Sequence, residues 1–124
     1  MRLSHISPML EVNDLEETVA FYTDILGWEL TGTWPDTGSM TWAELTAGSV
    51  RFMFVTRDPE TADQPLALTG QIYLYPDNID QLWETLKTKA AIAWELQATD
   101  YGMREFAIRD CNGYLLTFGQ EVEA

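Results

Sequence analysis

Apolar and polar positions follow two periods along this chain, and the period changes at regular places. Ile6 to Val12 alternates as a strand does, with Pro8 marking an edge or a bulge because proline has no amide hydrogen to donate. Leu15, Val19, Tyr22 and Leu26 then recur at helical spacing. Asp14-Leu15-Glu16-Glu17 opens that helix as a capping box, in which Asp14 accepts from first-turn amides while Glu17 reaches back. Gly27 supplies a left-handed stop. Three strands are expected next, over Trp28 to Thr33, Thr41 to Leu45 and Val50 to Thr56. Pro35-Asp36-Thr37-Gly38 is a turn, and Ala47-Gly48-Ser49 closes a hairpin. Arg57 to Leu66 is polar, carries Pro59 and Pro65, and reads as a surface linker.

The cycle then repeats. Gln71 to Tyr75 is a strand. Asn78-Ile79-Asp80-Gln81 repeats the capping logic, and Ile79, Leu82, Trp83 and Leu86 form the helical stripe. Strands follow over Ile92 to Leu96, Met103 to Arg109 and Tyr114 to Gly119, the last two around the turn Asp110-Cys111-Asn112-Gly113. Both halves therefore read strand, helix, three strands, which is the signature of an internal duplication. Trp28-Glu29-Leu30 echoes Trp94-Glu95-Leu96, and Gly48 and Gly113 each precede the last strand of a half.

Charge and composition narrow the functions. The chain has 124 residues and a net charge of −13, from 20 acids against 7 bases. Nucleic acid and anionic membrane surfaces, which require basic partners, are excluded; a cationic ligand is compatible, although acidic surfaces also serve solubility. No apolar run spans a bilayer, and Met1-Arg2-Leu3-Ser4-His5 has no secretory core. The single cysteine, Cys111, leaves no internal disulfide, which points to a reducing cytoplasm. Nucleophile-elbow, phosphate-loop and dinucleotide motifs are missing. Tyr101-Gly102 and Trp34-Pro35 read as simple turns, and His5 as a residue with no special role.

Val12-Asn13-Asp14-Leu15 with Phe21-Tyr22-Thr23-Asp24-Ile25-Leu26-Gly27 resembles the first half of the vicinal-oxygen-chelate superfamily, the group of glyoxalases, bleomycin-resistance proteins and ring-cleaving dioxygenases. Gly102-Met103-Arg104-Glu105-Phe106 with Arg109-Asp110-Cys111-Asn112-Gly113-Tyr114 is similar to its ending, with Cys111 where the family has proline. The resemblance implies an α+β fold of two βαβββ modules, their mixed sheets curved around a cavity. A single domain is expected, with module 1 at about 1–57, a linker at about 58–68 and module 2 at about 69–121.

In the metal-dependent members, ligands come from the first and last strands of each module. Those positions carry over to Ser7, Met53, Gln71 and Thr117, and none supplies an anionic or imidazole donor. The resemblance therefore implies no metal, no cofactor and no catalytic residues. It points to a small-molecule binding protein, with antibiotic sequestration of the bleomycin-resistance kind as the foremost role. The competing class is a lyase, isomerase or dioxygenase-type enzyme with an atypical site, using Glu44 or Glu105 as acid and base. By the same mapping Ser7, Met53, Gln71 and Thr117 point into the cavity. Two-residue periodicity adds Tyr73, and placing Ala43 and Leu45 on the helix side turns Met40, Trp42 and Glu44 inward. Aligning the hairpin glycines adds Met103, Glu105 and Ala107. The candidate ligand-binding set is thus Ser7, Trp42, Glu44, Met53, Gln71, Tyr73, Met103, Glu105 and Thr117, suited to a cationic, aromatic small molecule. Relatives of this size pair, so a homodimer is expected.

Overall fold

The structure is a computed structural model that describes residues Met1–Val122. Two short polar side chains start its two helices. Asp14, in an extended conformation, accepts from the Glu17 amide at 3.0 Å, and helix α1 runs Leu15–Ala20. Asn78 accepts from the Gln81 amide at 3.1 Å in the same way, and helix α2 runs Ile79–Leu86. Each cap satisfies an amide that has no partner within its helix. Helix α1 then widens into a π-turn over Phe21–Ile25, with the Leu26 amide donating to the Phe21 carbonyl, until Gly27 at φ 76° ends it.

Around these helices the strands form two four-stranded sheets. The first holds β1 (Met9–Val12), β2 (Glu29–Trp34), β3 (Trp42–Ala47) and β4 (Val50–Thr56) in the order β1-β4-β3-β2. The second holds β5 (Ile72–Leu74), β6 (Ala91–Ala98), β7 (Met103–Arg109) and β8 (Leu115–Glu121) in the order β5-β8-β7-β6. In each, the first strand lies parallel to the last and the remaining pairs are antiparallel. The fold is therefore the expected α+β arrangement of two βαβββ modules. The chain divides into two compact units, Met1–Leu66 and the residues from Ala67 onward. Among the described residues no helix is long and apolar enough to cross a membrane.

Within each unit, strand alternation sends one set of side chains against the helix. In the first, Ala43, Leu45, Phe52 and Phe54 are buried with Leu15 and Tyr22. Tyr22 packs on Phe54 with ring centroids 4.8 Å apart, and Trp28 on Phe52 at 4.8 Å. In the second, Phe106, Ile108, Leu116 and Phe118 are buried with Ile79 and Leu86, and Phe106 meets Trp83 and Phe118. Each fully buried large side chain contributes about 1.5–3 kcal/mol. The other face of each sheet is left for chemistry.

Three expectations shift. The first strand starts at Met9 rather than Ile6: Pro8 has no amide to pair, its carbonyl accepts from the Met53 amide, and Ile6 is exposed. Strand β5 is only Ile72–Leu74, leaving Gln71 and Tyr75 just beyond its ends. The Trp-Glu-Leu echo is not a structural equivalence. Leu30 pairs with Leu45 and Ile92 with Ile108, so Ile92 is the counterpart of Leu30, whereas Trp94 stands opposite Ala107.

Candidate functional site

The ladders decide which residues share the face turned away from each helix. In the first unit Glu44 pairs with Met53, Met53 with Met9, and Trp42 with Val55. Trp42, Glu44 and Met53 are thus neighbours on one half-buried surface, while Ser7 precedes the strand. Glu44 accepts from the Thr31 hydroxyl at 2.8 Å and lies 3.8 Å from Arg51. Gly32, at an irregularity in β2, leaves room for the Trp42 ring: an added Cβ there would come within 3.1 Å of it.

In the second unit Tyr73 pairs with Thr117, Thr117 with Ala107, Glu105 with Gly119, and Met103 with Glu121. Here the carboxylate is deeper, with Glu105 only 6% exposed. Both its oxygens are engaged: Oε2 accepts from the Tyr73 hydroxyl and Oε1 from the Tyr101 hydroxyl, each at 2.6 Å. Such short bonds to an ionised acceptor are the strong ones. Burial and the bond to Glu105 push the Tyr73 hydroxyl well above the tyrosine range. The bond to Glu105 chiefly raises that of Tyr101. Gly119 is required beneath this pair, because a Cβ there would overlap the Tyr73 hydroxyl. A lone inward carboxylate would be costly. Glu44 and Glu105 are both compensated by partners of their own chain, so the burial of these acids does not in itself call for a ligand.

Beside Glu105 the second unit opens into a pocket of about 460 Å³ lined by Tyr73, Tyr75, Tyr101, Met103 and Glu121. Sequence reasoning named Tyr73 and Met103 and missed the other three. Tyr75 continues the Tyr73 face two residues on, a signal available from periodicity. Tyr101 returns to Glu105 around Gly102, whose φ of 85° permits the tight bend. Glu121 lies beyond the expected end of the last strand.

The donor set at the family's metal positions does not fit a divalent ion. Ser7, Met53, Gln71 and Thr117 offer neutral oxygens and a thioether, and the Thr117 hydroxyl donates to the Gln71 side chain. Among the described residues no three of His, Cys, Asp and Glu converge. His5 is exposed, with a hydrogen bond to its neighbour Ser4.

Comparison with known proteins agrees with this fold. Among curated proteins none matches the sequence. The fold is similar to that of TioX from Micromonospora sp. ML1, with TM-score 0.78 and 22% identity over 96% of this chain and 99% of that one. It is equally similar to TnmS3, an antibiotic binding protein from Streptomyces sp. CB03234, with TM-score 0.78 and 21% identity over 98% of both chains. A glyoxalase/bleomycin resistance protein/dioxygenase from Nocardioides matches with TM-score 0.75 and 18% identity over 100% of this chain and 87% of that one. Residues 2–118 match the family model for this group, and the chain belongs to the glyoxalase/bleomycin resistance protein/dioxygenase superfamily.

Proposed function

We propose that the chain is a metal-independent, cytoplasmic small-molecule binding protein that sequesters an antibiotic-like ligand. The observation that carries the reading is the donor set at the family's metal positions, where Gln71 and Thr117 bond to each other instead of presenting free ligands. The likeness to TnmS3, itself an antibiotic binding protein, supports the choice of ligand class. The surfaces offered are Trp42, Glu44 and Met53 in one unit, with Ser7 at their margin, and Tyr73 and Met103 in the other, with Gln71 before the start of β5; Glu105 and Thr117 are buried and bonded to Tyr73 and Gln71. Aromatic and methionine side chains give flat, adaptable contact, and a net charge of −13 favours capture of a cationic aromatic molecule.

The test is metal analysis of protein purified without chelator, joined to a thermal-shift screen of basic aromatic compounds. Substoichiometric metal and a ligand-induced rise in Tm are expected. Near-stoichiometric zinc, nickel, manganese or iron that is lost with Gln71→Ala overturns the reading. The working unit is proposed to be a homodimer: β1 is an edge strand with Met9 exposed, and Leu3 and Ile6 precede it, also exposed. Light scattering at micromolar concentration is expected to give twice the chain mass, and a monomer mass rejects the pairing.

A further inference from the structure

We infer that the pocket of the second unit is an aromatic cage for an alkylated ammonium group, in which Glu121 is the counter-charge and Glu105 the residue that positions the walls. The inference rests on the small-molecule reading above and names the chemical group that this particular pocket holds.

Three tyrosines and one methionine make the lining, and its one acid is Glu121. Tyr73 and Tyr75 stand with ring centroids 5.2 Å apart and planes inclined at 54°, so they form two faces of a corner rather than a stack. Tyr101 enters from the loop before β7 as a further wall. A corner of electron-rich faces attracts a cation through the ring quadrupoles and suits an ion that wears its charge on methyl groups.

Glu105 determines how those walls are held. Its two oxygens fix the hydroxyls of Tyr73 and Tyr101 at 2.6 Å each, so neither ring rotates freely. Both hydroxyls donate to a carboxylate, which pushes electron density back into the rings and strengthens their hold on a cation. Glu105 is thereby engaged on both oxygens and is a positioning residue. Glu121, the ladder partner of Met103, makes no ion pair among the described residues and lines the pocket directly. The size agrees, since about 460 Å³ lies within the range of small-ligand sites.

The experiment uses choline and its uncharged isostere, 3,3-dimethylbutanol, each titrated calorimetrically into the full chain. Choline is expected to bind, and the isostere to bind at least about tenfold more weakly, because only the charge separates them. Tyr75→Ala is expected to weaken choline about tenfold; Tyr75 is 75% exposed, so this variant keeps its fold, checked by circular dichroism. Tyr75→Phe is expected to retain binding, since the ring face and not the hydroxyl makes the contact. Glu121→Gln is expected to weaken choline and to flatten its salt dependence. Equal binding of the isostere, or indifference to Tyr75→Ala, overturns the cage. If aromatic compounds bind in the thermal-shift screen and choline does not, the cage falls while the sequestration reading stands. If choline binds as described and no aromatic compound does, sequestration falls and the cage stands.

Discussion

Glu44 and Glu105 stand on corresponding strands, β3 and β7, each on the face turned away from its helix, and their surroundings differ in kind. Glu44 faces Met53, takes one hydroxyl from Thr31 and has a loose partner in the exposed Arg51, 3.8 Å away. Glu105 is sealed between two tyrosine hydroxyls and makes no ion pair among the described residues. The ladders explain the difference. Thr117 holds the place of Met53, Ala107 that of Glu44, Glu105 that of Trp42, and Gly119 that of Val55. Replacing a bulky Val55 by Gly119 lets the Tyr73 ring lie over the strand, and the acid sits where it can receive that hydroxyl. Two copies of one scaffold thus carry unlike chemistry because a few alternating positions on one face were exchanged while the core face kept its pattern.

The contrast breaks most visibly at the acids themselves. Glu105→Leu is expected to lose about 1.5–3 kcal/mol through the bond from Tyr73 alone, because a bond to a buried charge is a strong one. Glu44→Leu is expected to lose less than about 1 kcal/mol, because its cationic partner Arg51 is exposed and 3.8 Å away. Urea unfolding of both variants measures the gap, and equal losses would remove the distinction. Next in size, Gly119→Val copies the first unit into the second. It forces the Tyr73 ring aside, at about 1–3 kcal/mol for overpacking, and is expected to abolish the Tyr73–Glu105 bond. The reverse change, Val55→Gly, adds no clash and is expected to cost about 0.5–1 kcal/mol in backbone freedom, together with the contacts of the half-buried valine side chain.

Where the two units are alike, equal effects are expected. Asp14→Ala and Asn78→Ala each remove one capping bond and are expected to cost about 1 kcal/mol apiece. A difference of more than about 1 kcal/mol between them would show that the helices are not equivalent supports. The smallest effect is alkaline. Folding raises the Tyr73 pKa above the ordinary value of 10.0, so the folded chain holds that proton more tightly than the unfolded chain. The associated stability is complete below pH 10.0 and is withdrawn as pH rises beyond it. Near-ultraviolet titration is expected to show tyrosine ionisation moving to lower pH in Glu105→Leu than in the parent.

Much of the scaffold was legible because it depends on local rules. Two caps, two helical stripes and the glycines at 27, 48 and 113 sufficed to mark the duplicated βαβββ order. Alternation put Trp42 and Glu44 on one face of β3, as the ladder does, whereas Glu105 came from aligning the hairpin glycines. What alternation cannot supply is partnership. Nothing local says that Tyr101, in a turn, bends back onto Glu105, or that Gln71 and Thr117, far apart in sequence, bond to each other. Such pairs are set by how β5 and the β6–β7 loop meet the middle of the sheet, which is a tertiary matter. The short Trp-Glu-Leu repeat misled for a different reason: the ladders put Ile92, and not Leu96, in the place of Leu30, so the two copies of the echo stand out of step.

The segment after β4 has a practical consequence for limited digestion. Arg57 is the only basic residue between Arg51 and Lys87. Its guanidinium donates to the Gln64 and Thr61 carbonyls and lies near Glu11, with its side chain only 10% exposed. A tryptic protease needs that side chain drawn out into its own pocket. The long stretch from Asp58 to Leu86 therefore offers such an enzyme nothing, and its one upstream cleavage point is locked from within. The connection that looks from its prolines and polar residues like the natural place to cut the molecule in two is expected to outlast the exposed N-terminal site at Arg2.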